Sequence, residues 1–460
     1  MLGSDAVRVA VLSVCACDQS AALRACCREL ARGTCDGQGR LLAASATLPV
    51  GPATSLLPRL SPHLLRRLHL PSAAGDELLG TLAALRHELC ELRDVSIHLA
   101  APQLPRLCAG LSGRGDRPRA APVLARALAK ALPPSIVNLA ADLRGTGALC
   151  GDIKLADFSS AIPKGLVRLH LDLNLCSGHE VRAVSAALPP SLRELRLAFH
   201  GRRRARARAP PLGLREAAPE DDGLAELAAR LPANLEALSL MLSGSSAGAA
   251  ALCGSLPRSL RRLDLDLRVA RWAAPARLAH ALAQTLPPKL LSLRLRLLGW
   301  SLASGEVKAL AWALPLCLED LRLELGGRNV GDDGVAALAA ALPDSLTDLA
   351  LCLRGWRCAE RGALGLANAI QRQRRLRRLM LVLSGCPVGA AGAEAIVSAV
   401  PPCVETLNLM FKVCSLGEEG GRALGPAARR WAAAAQRCAA QRAARPGAPP
   451  AAHSSFFSPS

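Results

Sequence analysis

Residues 318–342 read LEDLRLELGGRNVGDDGVAALAAAL and are followed by Pro343. This stretch decides the fold. Its first part alternates, with Leu321, Leu323 and Leu325 separated by Arg322 and Glu324. An apolar residue at every second position marks a strand buried on one face. The last part has a different period: Val335, Leu338 and Leu342 lie three and four residues apart, with alanines between them. That spacing puts them on one face of a helix, and alanine is the strongest helix former. Pro343 ends the helix, because it has no N–H and restricts the residue before it. The unit therefore reads strand, loop, helix, proline turn.

The same unit recurs on both sides. The phrase Leu-Pro-x-x-Leu, or a close variant, begins at Leu132, Ile162, Leu188, Leu231, Leu256, Leu286, Leu314, Leu342 and Val400. Each copy opens an alternating run, such as Leu260, Leu263, Leu265 and Leu267. Twelve such runs begin at Leu65, Leu92, Ile136, Leu166, Leu192, Leu235, Leu260, Leu290, Leu318, Leu346, Leu376 and Val404. Nine of the eleven steps between them span 25–30 residues, and the other two, of 44 and 43, accommodate insertions near 101–130 and 200–220. Insertions of this kind map to loops.

A strand, a helix and then another strand one repeat later require parallel pairing with the helix as crossover. Stacking the units gives an α/β solenoid of about twelve repeats, with an inner parallel sheet and an outer row of helices. No unit can bury its apolar face alone, so stability comes from its neighbours. Residues 1–60 do not scan as repeats and are expected to form an atypical N-terminal cap, with the repeat domain over 61–420. The Ala- and Arg-rich stretch 421–445 reads as a C-terminal capping helix, and the Pro-, Ala- and Ser-rich 446–460 as a disordered tail.

The pattern resembles the leucine-rich repeat family in its long, ribonuclease-inhibitor-like form, over roughly residues 60–430. The resemblance implies a horseshoe solenoid that binds a protein on its concave face as scaffold, adaptor or regulator. Members with long repeats include nuclease inhibitors, GTPase-activating proteins and innate-immune sensors, so a GTPase-activating role is implied by resemblance only. An inhibitor of a basic ribonuclease should be acidic, and this chain is not. The activators carry an acidic tail where this one is basic, and no nucleotide-binding module is present. The family also places Asn or Cys eight residues after the first Leu, to bond the loop backbone. Here that place holds Asn174, Ser243, Gly326, Arg354 or Ser384, so the asparagine ladder is expected to be mostly missing.

The formal net charge is +20, from 57 Lys and Arg against 37 Asp and Glu. On the strands the residues between leucines face the concave side. In the central repeats these are Arg262, Asp264 and Asp266, then Arg294 and Arg296, then Asp320, Arg322 and Glu324. In-register stacking sets adjacent rows about 5 Å apart. Two readings stay open: mutual ion pairing on a solvated face, and a charge-patterned docking site where complementarity selects a partner. The excess of positive charge lies in the loops and at the end. Arg202, Arg203, Arg204, Arg206 and Arg208 form the run RRRARAR. This reads either as a solvated loop or as a nuclear-localisation or polyanion contact, for RNA, DNA or an anionic membrane surface. No aromatic residue falls within this run, which argues against reading single-stranded bases.

Seventeen cysteines, an odd number scattered along the chain, point to a reducing, intracellular compartment, cytoplasmic with a nuclear location also open. The cluster Cys15, Cys17, Cys26, Cys27 and Cys35 lacks zinc-site spacing, so no metal is expected. There is no stretch of eighteen apolar residues for a membrane span, and the apolar run 6–16 has no basic leader before it. No G-x-S-x-G, Walker or H-E-x-x-H motif occurs, so neither enzyme chemistry nor a cofactor is expected.

Overall fold

The computed structural model describes residues 12–13, 45–47, 67–70, 92–98, 133–142, 162–174, 178–200, 223–244, 246–269, 275–297, 300–327, 329–412, 414, 425–426 and 428–437. The chain divides into two compact units, Met1–Leu235 and Glu236–Ser460.

In the first unit the described strands are β1 (Leu12–Ser13), β2 (Ser45–Thr47), β3 (Arg67–Leu70), β4 (Asp94–His98), β5 (Asn138–Asp142), β6 (Arg168–Asn174) and β7 (Glu194–His200). They pair in chain order, every pair parallel. Two helices are described, α1 (Gly178–Ala186) and α2 (Leu224–Arg230). The short β1 and β2 fall within the first sixty residues and join the same sheet. The insertions 101–130 and 201–220 and the tail 446–460 lie outside the described residues.

The second unit alternates strand and helix throughout. Its strands are β8 (Ala237–Gly244), β9 (Arg262–Val269), β10 (Ser292–Leu297), β11 (Asp320–Leu325), β12 (Asp348–Cys352), β13 (Arg378–Val382) and β14 (Thr406–Met410). Between them run α3 (Ser246–Cys253), α4 (Pro275–Thr285), α5 (Ser304–Trp312), α6 (Asp332–Ala340), α7 (Glu360–Arg372) and α8 (Gly389–Ala399). Residues 428–437 are helical, and Trp431 Nε1 there donates to the carbonyl of Pro401 at 3.4 Å. The twelve alternating runs correspond one for one to β3–β14.

The register is that of a repeat. Leu263, Leu293, Leu321, Leu349 and Leu379 stand opposite one another across five strands, each 0–2% exposed. Val307 and Leu310 of α5 and Val335 and Leu338 of α6 are buried with them. Removing a leucine of this kind from water is worth about 1.5–3 kcal/mol.

Two seams of hydrogen bonds join successive repeats. At the turn, the proline carbonyl accepts from the backbone N–H three residues on, as in Leu318 to Pro315 at 3.3 Å and Leu260 to Pro257 at 3.2 Å. That recurring bond is the physical content of Leu-Pro-x-x-Leu. The residue just before the final Leu is often Ser or Cys, and it donates to the carbonyl of the equivalent Leu one repeat earlier. Ser191 bonds Leu166 O at 2.7 Å, Cys317 bonds Leu290 O at 3.2 Å and Ser345 bonds Leu318 O at 2.5 Å.

The second seam does the work of an asparagine ladder with other residues. Trp300 Nε1 donates to Leu267 O at 3.0 Å, and Trp356 Nε1 to Leu325 O at 3.1 Å. Cys386 and Cys414 donate their thiols to Leu353 O and Leu383 O, each at 3.1 Å. All four lie ten residues after the first apolar residue of their run, two beyond the family's Asn position. The run here holds a fourth alternating Leu, such as Leu325, so the ladder residue falls one strand period later. Burial pushes the Cys386 thiol up to about 11 and Cys358 up to about 12, so both stay protonated at neutral pH.

Candidate functional site on the inner face of the sheet

Because side chains alternate along a strand, the residues between the leucines all leave the sheet on the face opposite the helices. In the second unit they form three rows. The first runs Ala237, Arg262, Ser292, Asp320, Asp348, Arg378 and Thr406; the second Ser239, Asp264, Arg294, Arg322, Ala350, Met380 and Asn408. The third runs Met241, Asp266, Arg296, Glu324, Cys352, Val382 and Met410. All eight residues singled out from the central repeats stand on three adjacent strands, in register.

Several of them hold one another. Arg296 lies between two acids, with Nη1 3.1 Å from Asp266 Oδ2 and Nε 3.0 Å from Glu324 Oε2. Arg294 Nη2 is 3.0 Å from Asp320 Oδ2, and Arg322 Nε is 3.1 Å from Asp320 Oδ1. Ser292 adds a hydrogen bond to Asp320 at 3.1 Å. The network continues on the next two strands, where Arg378 Nε bonds Asp348 and Thr347 Oγ1 bonds it at 2.9 Å.

The three arginines Arg294, Arg296 and Arg322 keep 42–43% of their side-chain surface in solvent, while Asp266 keeps 3%. Asp266 is thus a buried foot of the lattice, while Glu324 keeps 34% and stands nearly as exposed as the guanidinium groups. Glu324 is the main cause of a raised pKa at Arg296, through its hydrogen bond. Burial works against the charge on Asp348. The hydrogen bonds from Arg378 and Thr347, with the fields of Arg378 and Arg322, outweigh it and hold its carboxyl below the usual range.

Beyond β11 the second and third rows change character. Ala350, Met380 and Asn408, then Cys352, Val382 and Met410, carry no charge. Met410 is 39% exposed. The chain has four methionines, and three of them, Met241, Met380 and Met410, stand on this face. Charge was the signal used to pick this face from the sequence, and it passes over these residues. The rarity of Met at between-leucine positions is the signal that finds them.

The first unit carries related pairs. His170 Nε2 lies 3.1 Å from Glu194 Oε1, and Arg168 donates from Nε to Asn138 Oδ1 at 2.7 Å. Arg202, Arg203, Arg204, Arg206 and Arg208 lie outside the described residues, as does the N-terminal cysteine cluster. Among the described residues there is no group of three His, Cys, Asp or Glu able to hold a metal ion. No helix among them is long and apolar enough to cross a membrane.

No family model and no curated protein matches the chain. Among solved structures it is similar to the leucine-rich repeat-containing protein LegL7 of Legionella pneumophila, at 18% identity and a TM-score of 0.35, over 72% of this chain and 90% of that one. It is similar as well to a chain of the yeast Rad7 and Elc1 complex, at 14% identity and a TM-score of 0.37, over 75% of this chain and 85% of that one. At those scores neither carries a functional inference. The repeat itself, with its in-register parallel strands, crossover helices and proline turns, is a leucine-rich-repeat solenoid.

Proposed function

We propose that the chain is a docking scaffold that takes a protein partner on the inner sheet face of the unit Glu236–Ser460. The observation that carries this reading is the composition of that face. A self-neutralised lattice on β9–β11 lies beside uncharged second and third rows on β12–β14, which hold two of the chain's few methionines. Methionine is flexible and polarizable and suits a surface that must adapt to a partner. Fixed pairs such as Arg296 with Asp266 and Glu324 present guanidinium groups in set positions. They can select a complementary surface more than they add raw affinity.

The fit is to a partner with an apolar segment for Met380 and Met410 and acidic or hydrogen-bond-accepting groups for Arg294, Arg296 and Arg322. The test is a titration of a captured and purified protein against the native chain, Met380→Glu/Met410→Glu on the inner face and Leu364→Glu on the exposed side of α7. The reading expects the inner-face variant to bind at least tenfold more weakly and the α7 variant to bind like the native chain. Equal affinity for the native chain and the inner-face variant would contradict it.

A further inference from the structure

Where α7 turns into β13, at the margin of the inner face, one edge of the second unit concentrates charge. The turn from α7 into β13 reads Arg372, Gln373, Arg374, Arg375, Leu376, Arg377, Arg378, and all five of its arginines are exposed. Arg377 lies 3.8 Å from Glu405, and Arg378 pairs with Asp348. Among the described residues no carboxylate lies within 4.0 Å of Arg372, Arg374 or Arg375. Elsewhere this place in the repeat holds residues such as Pro288, Leu316, Asp344 or Pro402, and no other turn has two arginines there.

The next turn brings in more. Cys403 Sγ donates to Arg374 O at 3.4 Å, so the turn at Pro401 lies directly alongside. Trp431 bonds the Pro401 carbonyl and seats the last helix on that turn. Arg429, Arg430 and Arg437 are exposed on this helix, and Arg430 is 3.9 Å from Glu394. Arg429 and Arg430 thus join the five arginines of the turn, with Asp344, Asp348, Glu394 and Glu405 among them.

Gln373 makes the turn unusual in a second way. It occupies the place proline holds in nine other turns, and its carbonyl still accepts from Leu376 at 3.4 Å. Its side chain is 0% exposed, and neither amide atom has a hydrogen-bond partner. An unpaired buried polar group costs about 1–3 kcal/mol. The repeat thus departs from its own pattern at the same turn where it gathers arginines, and such departures are expected at functional or strained sites.

We infer that this edge binds the phosphodiester backbone of a nucleic-acid duplex, without sequence preference. A guanidinium fork matches a phosphate in two hydrogen bonds. The edge is an exposed turn and helix rather than a groove, and it offers no free aromatic ring for base stacking. A flexible acidic peptide would lose conformational freedom on binding and needs apolar anchors to compensate. A duplex brings its charges already ordered, and released counterions drive its binding.

The test is fluorescence anisotropy with two labelled duplexes of unrelated sequence, between about 50 and about 200 mM salt. The full chain is compared with Arg372→Gln/Arg374→Gln/Arg375→Gln, with a deletion of 201–209, and with Met380→Glu/Met410→Glu. An acidic peptide and phosphatidylserine vesicles are run in parallel. The triple variant should bind both duplexes at least tenfold more weakly, with a log–log salt slope shallower by about 2 to 3. Its melting temperature should match the native chain's, and the Met380→Glu/Met410→Glu variant should bind duplex normally. An unchanged affinity and slope for the triple variant would overturn the inference. So would loss of all duplex binding on deleting 201–209 alone, or arginine-dependent binding of the peptide or vesicles but not of duplex. Because the inner-face variant is measured beside it, failure here is separable from failure of the docking reading.

Discussion

Arg296 Nη1 sits 3.1 Å from Asp266 Oδ2, on the open face of a sheet, yet the Asp266 side chain is only 3% exposed. The arginine is a lid over its own counter-ion. Asp266 is too deep to be served by water alone, and Arg296 gives up part of its exposure to cover it. Replacing Arg296 with Ala should therefore cost more than an ordinary surface pair, about 1–2 kcal/mol against the 0–1 typical of exposed ion pairs. Arg296→Lys keeps the charge but cannot span Asp266 and Glu324 at once, so it should recover only part. Chemical denaturation of the two variants checks this, and equal stability of native chain and Arg296→Ala would refute the lattice as a structural element.

Asp348 predicts the acid limb of stability. Its carboxyl is held below its ordinary value in the folded chain, so its contribution is full above the unfolded value, near 4, and is lost as pH falls through the folded value. Stability should fall from about pH 4 downward, and Asp348→Asn should flatten that part of the fall. Melting temperatures taken across the acid range would show the two curves converging at low pH. Parallel curves would count against the assignment.

The tryptophan ladder makes a separable prediction. Trp356→Phe keeps most of the buried ring and removes only the donor to Leu325 O, so the loss should be about 1 kcal/mol. Trp356→Ala removes both and should cost about 3–5 kcal/mol. Urea titration distinguishes them, and a Trp356→Phe variant as stable as the native chain would mean that the indole N–H contributes nothing.

Burial at and beside this seam protects two thiols. Cys358 and Cys386, with pKa values pushed up to about 12 and about 11 by burial, should resist a thiolate-selective reagent in the native chain and react at once in denaturant. Cys317, at the turn and half-buried, should label faster than either. Mass spectrometry of briefly alkylated native protein reads the order.

Two glycines should respond in opposite directions. A Cβ at Gly362 would meet Asp332 Oδ1 at 2.6 Å and Cys358 Sγ at 3.1 Å, whereas one at Gly305 meets nothing within 4 Å. Asp332 Oδ1 also accepts from the backbone N–H of Ala359 at 2.7 Å, so it is not free to move aside. Gly362→Ala should destabilise, and Gly305→Ala should stabilise by up to about 1 kcal/mol through helix propensity. Thermal melts of the pair decide it, and a shift of the same sign in both would refute the packing argument.

Period carried most of the architecture. The spacing of Leu321, Leu323 and Leu325 against Val335, Leu338 and Leu342 was enough for strand, helix and parallel pairing, because both periods are set by backbone geometry alone. The charged rows were legible for the same reason: in-register stacking follows from equal repeats. What the sequence hid depends on three-dimensional neighbours. The depth of Asp266, and hence the lid role of Arg296, needs the lattice. The ladder was hidden because a fourth alternating leucine sets it two residues beyond the family's Asn position, and because Trp and Cys take the part that Asn plays there. The methionines of the inner face were hidden by attention to charge.

The most direct measurement of the docking claim places a photo-crosslinking side chain at Met380 or Arg322 on the inner face, and at Leu364 or Ala340 on the helices. The chain is then irradiated in extract from cells that express it. The account predicts one discrete protein adduct at both inner-face positions and none at the helix positions. Adducts from the helices, with a bare inner face, would contradict it.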